Sequence, residues 1–267
     1  MINILRRELK RNRRSFIMWT IAMALMNFAV MSVYPTIAKD QGSINKILNQ
    51  MPDFLLKAFN LDKLNMADIL GYYGTKGYIS FVLFGSIFSI LLGSSILSKE
   101  ENDKTIEFLL AKPITRGQMI TSKVLCYLIY IFLFNLIVSV VTYISFEGVK
   151  IQDFSLKTFL MLSIAPFVVN ITFANIGILA SIFVTRRRVV YSFSIGLVMG
   201  MYFISTMAEI AEELKFLGYF TPFKYADAVD IIVDGGIKGV YWGVLLLVNV
   251  AAIGLTYWIY GRKDIVV

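Results

Sequence analysis

Three carboxylates near the end of the chain have a spacing that could do chemistry. Asp227, Asp230 and Asp234 fall at i, i+3 and i+7, so a continuous helix would carry them on one face. Such oxygens could hold a metal ion, and the same face also serves as ordinary solvated charge. The other chemistries are excluded by what is missing. The 267 residues include no histidine, which rules out Ser-His-Asp and Cys-His nucleophile pairs, HExxH zinc sites and haem held by His. The single cysteine, Cys126, lies in an apolar run and has no partner for an intramolecular disulfide. No GxxxxGK[ST] phosphate loop occurs, so this chain does not hydrolyse ATP by that route. The reading is a non-enzyme, with no catalytic, cofactor-binding or metal residues and no cofactor.

The elements that carry these residues are set by composition. Apolar residues make up 57% of the chain and the mean hydropathy is +0.70, which places it in the membrane class. The net charge of +8 does not point to nucleic acid, because the basic residues flank apolar runs, where they set topology. A helix needs about 20 apolar residues to cross the hydrocarbon core. Six stretches qualify: 16–38, 77–97, 124–146, 158–184, 189–207 and 240–260. With both termini in the cytoplasm, the inside segments 1–15, 98–123, 185–188 and 261–267 hold 16 Lys/Arg and 6 Asp/Glu. The outside segments 39–76, 147–157 and 208–239 hold 10 and 12. The positive-inside rule favours that orientation. The first run is too long for a secretory h-region and reads as a first span. The expectation is an all-α integral membrane protein with six transmembrane helices in one domain, cytoplasmic N- and C-termini, and a multi-pass place in the cell membrane.

The segments between spans also have pattern. In 1–15, Ile2, Leu5 and Leu9 lie at i, i+3 and i+7, with Arg6, Arg13 and other basic residues on the remaining faces. This predicts a short amphipathic helix on the inner leaflet, in contact with lipid; a plain topology signal accounts for the same residues. In 39–76, Ile44, Ile47, Leu48 and Met51 form one stripe and Phe54, Leu55, Ala58 and Phe59 another, split by Pro52. Two short amphipathic outer helices follow. In 208–239, Glu209, Glu212 and Glu213 continue span five on a polar side, read mainly as solvated charge. Thr221-Pro222-Phe223 then breaks the helix.

The cytoplasmic loop 98–123 holds most information. Ile106, Leu109 and Leu110 make an i, i+3, i+4 apolar face, Pro113 ends it, and Thr115 with Gln118 has capping-box spacing. A loop that only joins two spans has no need of an amphipathic helix; one that docks on a partner does. Small residues recur every fourth position at Gly85, Ser89 and Gly93, and again at Ser192, Gly196 and Gly200, serving close packing within the chain or between chains. Asn27, Asn135, Asn170, Asn175 and Asn249 lie in spans and read as helix–helix hydrogen bonds.

The run Glu100-Glu101, Lys104-Thr105-Ile106-Glu107-Phe108-Leu109-Leu110-Ala111-Lys112-Pro113-Ile114-Thr115-Arg116 and then Lys123 resembles the cytoplasmic loop of ABC-2 type transporter permeases. Lys104 departs from the Gly frequent there. The resemblance extends over nearly the whole chain, in the variant with a long first outer loop. It implies a type V exporter-like transmembrane domain and a partner of two ATP-hydrolysing subunits. It also implies pairing with a second permease copy or homologue, and a coupling helix in 98–123. Carried over to coupling are Glu101, Thr105, Glu107, Leu109, Leu110, Pro113, Thr115 and Arg116. The implied function is the permease subunit of an ATP-driven exporter, in a bacterial plasma membrane. An ion-coupled secondary transporter is the alternative, and would need titratable residues or a broken helix at mid-membrane, with Pro166 as the candidate break. A polytopic membrane enzyme would need the Asp227 series as its site.

Overall fold

The computed structural model describes residues 2–102, 115–183 and 187–262, and among them every regular element is helical. Of the residues expected to couple to a partner, Thr105, Glu107, Leu109, Leu110 and Pro113 lie outside the described residues, as does the side chain of Glu101.

In chain order the helices are α1 (Ile2–Lys39), α2 (Gln41–Leu48), α3 (Asp53–Ala58), α4 (Ile69–Tyr73), α5 (Ile79–Asn102), α6 (Arg116–Val149), α7 (Leu156–Phe183), α8 (Arg187–Ile210), α9 (Lys215–Gly218), α10 (Ala228–Ile232) and α11 (Gly239–Arg262). A π-helical turn, Gly74–Tyr78, joins α4 to α5, and tight 3₁₀ turns at Glu212–Leu214 and Pro222–Ala226 flank α9. Six stretches are long and apolar enough to cross a membrane: Ile2–Lys39, Ile69–Ile96, Arg116–Val149, Leu156–Phe183, Arg188–Ile210 and Gly239–Arg262.

Helix α5 is the most enclosed span. It packs closely along α7 and also touches α8, while α1 lies on α6 and α11 on α7. Glycine makes the α5–α7 contact close. A Cβ at Gly93 would sit 2.2 Å from the Ala174 carbonyl oxygen, and one at Gly177 would sit 2.6 Å from that of Ile90. Two apolar clusters form the core. One gathers Tyr34, Tyr72, Tyr73, Phe146, Phe159 and Phe223 near the α2–α4 end. The other gathers Phe88, Tyr127, Phe134 and Tyr260 toward the loop-bearing end.

Three sequence expectations are corrected. The 1–15 segment is not a separate surface helix: α1 runs unbroken from Ile2 to Lys39. A run of basic residues marks where a bilayer can end, but it does not interrupt helical hydrogen bonding, since Arg and Lys are good helix formers. Its buried stripe is Ile4, Glu8 and Asn12 rather than Ile2, Leu5 and Leu9. The second span begins earlier than residue 77, because the π turn carries α4 directly into α5. Helix α8 stops at Ile210, and only a 3₁₀ turn holds Glu212 and Glu213.

The two short amphipathic helices of the 39–76 segment are present as α2 and α3, on either side of Pro52. Two residues beyond the end of α3, Asn60 takes the left-handed region (φ 54°), with the Leu61 N–H donating to the Leu56 carbonyl at 2.8 Å. Asn tolerates that conformation better than most residues. α7 continues through Pro166 without a break.

Candidate functional site

At the loop-bearing end, the capping box sets the start of α6. The Thr115 hydroxyl accepts the Gln118 N–H at 3.2 Å, and the Gln118 carboxamide oxygen accepts the Thr115 N–H at 3.4 Å. Two orphan donors of the first turn are satisfied, so the helix begins immediately after the loop. The next residue ties that start to the end of α11. Arg116 Nη1 donates to the Gly261 carbonyl at 3.3 Å, placing a cation at a helix C-terminus, where the macrodipole favours it. One turn on, the Thr121 and Tyr257 hydroxyls are 2.7 Å apart.

The centre of this end is Lys123. Its side chain is fully buried (0% exposed), and Nζ donates to the Ile96 carbonyl of α5 at 2.6 Å. The same ammonium lies 3.7 Å from Glu8 Oε1 of α1, a carboxylate that is 1% exposed. Arg7 Nη2 stands 3.9 Å from that oxygen, and the Tyr130 hydroxyl donates to the Leu9 carbonyl. Ile96 precedes the loop and Lys123 ends it. One ammonium at the start of α6 therefore hydrogen-bonds α5 and stands within ion-pair range of α1, whose Glu8 oxygens accept no hydrogen bond.

A buried ion pair has a large desolvation cost, so it adds little net stability. Removing one partner, however, leaves an unpaired charge and costs about 3–5 kcal/mol. The arrangement brings α1, α5 and the start of α6 together at one buried ammonium.

The sequence reading missed Glu8 and Lys123 as site residues. Glu8 looked like one charge in a basic stripe, and Lys123 like the closing letter of a loop pattern. The available signal was the lone acid among the basic residues of 1–15. Of the residues assigned to the inner leaflet, Leu5 and Leu9 pack against the cluster around Tyr127, and Arg6 and Arg13 are exposed.

Deeper in the spans the amides make helix–helix contacts. Asn175 Nδ2 donates to Asn249 Oδ1 at 2.5 Å, Asn249 Nδ2 to Thr172 Oγ1 at 2.9 Å, and the Tyr127 hydroxyl to Asn175 Oδ1. This chain of bonds joins α6, α7 and α11. Ser86 donates to Asn170 Oδ1 at 3.4 Å between α5 and α7. Asn27 differs, since its Nδ2 bonds the Met23 carbonyl of its own helix at 3.1 Å.

At the opposite end the Asp227 series does not form a metal site. Asp227 caps α10 through the Val229 N–H at 2.8 Å, and Asp227 and Asp230 lie 3.5 and 3.8 Å from Lys224 Nζ. No acidic group among the described residues has the arrangement to hold a metal ion. Burial pulls the Lys224 ammonium down, but the two carboxylates outweigh it and hold its pKa above the ordinary lysine value. Burial also raises the Asp230 carboxyl, despite Lys224 beside it. Glu209 is half-buried rather than solvated, and accepts from Asn60 Nδ2 at 3.3 Å.

The profile of a family described as ABC-2 family transporter protein matches residues 2–265. The chain belongs to the ABC-2 transporter family. No curated protein matches it. As a family member it is a multi-pass membrane component of a transporter, a permease and not itself a catalyst, and membership implies pairing with an ABC ATPase subunit. In an ABC-2 permease, the Lys123 junction sits at the base of the loop whose sequence carried the resemblance.

Proposed function

We propose that this chain is the permease subunit of an ATP-driven exporter, and that the 98–123 loop docks on the ATPase. The observation that carries the reading is the buried Lys123 ammonium, which bonds the other flank of that loop at Ile96 and lies 3.7 Å from Glu8 of α1. A loop that grips a moving partner must be anchored firmly at its base, and this one is. Glu101, Thr105, Glu107, Leu109, Leu110, Pro113, Thr115 and Arg116 contact the ATPase. The charge bias places this end and both termini in the cytoplasm. Residues 1–15 lie at inner-leaflet level as the first turns of α1, and 39–76 and 208–239 form the outer segments.

Two ATPase copies serve a pair of permeases, giving about twelve spans, in a bacterial plasma membrane. The second permease packs on α8, where a Cβ added at Gly196 or Gly200 would meet nothing from the rest of the chain within 4 Å. The Phe, Tyr and Met content of the bundle favours a hydrophobic or amphipathic cargo. The ion-coupled alternative loses support, since α7 is continuous through Pro166.

Leu109→Asp tests the docking role. The variant should insert and fold like the parent, because the residue lies outside the spans, but permease-stimulated ATP hydrolysis should fall to the rate of the ATPase alone. Full stimulation in that variant would remove the docking role from the loop.

A further inference from the structure

Helix α1 has an exposed face with two chemistries along its length. Lys10, Arg13 and Arg14 are exposed on it, at i, i+3 and i+4. At about 100° of turn per residue, the three lie opposite the buried Ile4, Glu8 and Asn12. The nearest acid in the sequence, Glu8, is turned inward, 3.7 Å from Lys123. Like charges at these spacings repel, so the face carries a standing cost that an anion would remove. Arg6, one turn farther from the first span, adds a fourth exposed cation.

Toward the bilayer the same face turns apolar. Ile17, Ile21 and Phe28 follow in the sector of the three cations, with Leu25 at its edge, and all four are exposed. Over residues 17–28 the helix rises about 16 Å, half of the hydrocarbon core and so the depth of one leaflet. Helical side chains lean toward the N-terminus, which carries the Arg13 and Arg14 guanidinium groups out of the hydrocarbon and into the headgroup layer. The face therefore presents, in order, three cations and then one leaflet's depth of apolar surface.

We infer that this face docks an anionic phospholipid of the cytoplasmic leaflet, its phosphate on Lys10, Arg13 and Arg14 and an acyl chain along residues 17–28. A basic cluster immediately beside a span is where such headgroups gather. Arginine suits the site, since its planar fork bonds two phosphate oxygens at once. A second copy of the chain is a poorer occupant, because a twofold contact here would set three cations against three. A soluble acidic protein would engage the cations and leave the apolar half of the face to ordinary lipid. The inference rests on the membrane placement of α1 and not on the ATPase reading, so either can fail alone.

The test uses the full chain in phosphatidylcholine nanodiscs, doped with one of two photoactivatable probes that share their acyl chains, a phosphatidylglycerol or a phosphatidylcholine. In low salt the phosphatidylglycerol should label the peptides covering 17–28 at least about fivefold more, the weight of one cation beside an anionic headgroup. Raising the salt to about 0.5 M, where screening acts within a few ångströms, should shrink the excess toward parity. Lys10→Gln, Arg13→Gln and Arg14→Gln together should abolish it, while labelling by the neutral probe stays as in the parent. Should that triple variant fail to insert, the excess and its salt dependence in the parent decide the matter. Equal labelling by the two probes in the parent at low salt, an excess that survives the triple variant, or one confined to other peptides would overturn the site and leave these residues a topology signal alone.

Discussion

The second and fifth spans carry the same small-residue repeat and use it in opposite ways. In α5, Gly85 and Gly93 face α7 so closely that a Cβ would meet Asn170 Nδ2 at 2.8 Å and the Ala174 carbonyl oxygen at 2.2 Å. In α8, a Cβ added at Gly196 or Gly200 would meet nothing from another element within 4 Å, and Phe193, Phe203 and Met207 are exposed on the same helix. Spacing alone does not separate the two, because both stripes permit close approach. The difference lies in what faces them. α7 brings a complementary glycine, Gly177, and an amide, Asn170, to the α5 stripe. Nothing in this chain answers the α8 stripe among the described residues, which is why a second copy is assigned to it.

Gly93→Leu should have the largest effect. The new side chain has no room against backbone, so the loss should be about 3 kcal/mol or more, from overpacking that a rigid carbonyl cannot relieve. The chain should lose its monodisperse peak in detergent. A folded, stable Gly93→Leu would mean that the α5–α7 contact is looser than described.

Lys123→Met extends the packed side to the loop-bearing end. It strands the buried Glu8 carboxylate and should cost about 3 kcal/mol, read as a lowered unfolding midpoint. The double variant Glu8→Gln with Lys123→Met should recover most of that loss. If the double variant is no better than the single, the two residues do not act as a pair.

Gly196→Leu should have the smallest effect on the chain itself, within about 0.5 kcal/mol, as for other substitutions that touch nothing in the fold. It should still reduce the share of paired permeases seen by native mass spectrometry. Unchanged pairing would move the second copy to another face.

The parts of the fold legible in the sequence were the local ones. Six apolar runs announce six spans, because hydropathy over 20 residues needs no tertiary information. The Thr115–Gln118 box was readable because both partners sit within one turn. The Glu8–Lys123 pair was not, since its partners are far apart in sequence and each looks like solvated charge until the helices meet. Glu209 was misread for the same reason: its partner Asn60 arrives from the far end of α3. α1 teaches a different lesson. Charge was read as a bilayer boundary, and helix continuity ignores it, so the expected surface helix and the first span are one rod.

The most direct measurement is a mild-detergent pull-down of this chain from its native membrane, with cross-linking at the 98–123 loop and mass spectrometry of the captured proteins. A stoichiometric partner bearing a phosphate loop, cross-linked through Thr105–Arg116, is the predicted result. Recovery of the chain with no such ATPase, or an ATPase cross-linked only elsewhere, would contradict coupling through this loop.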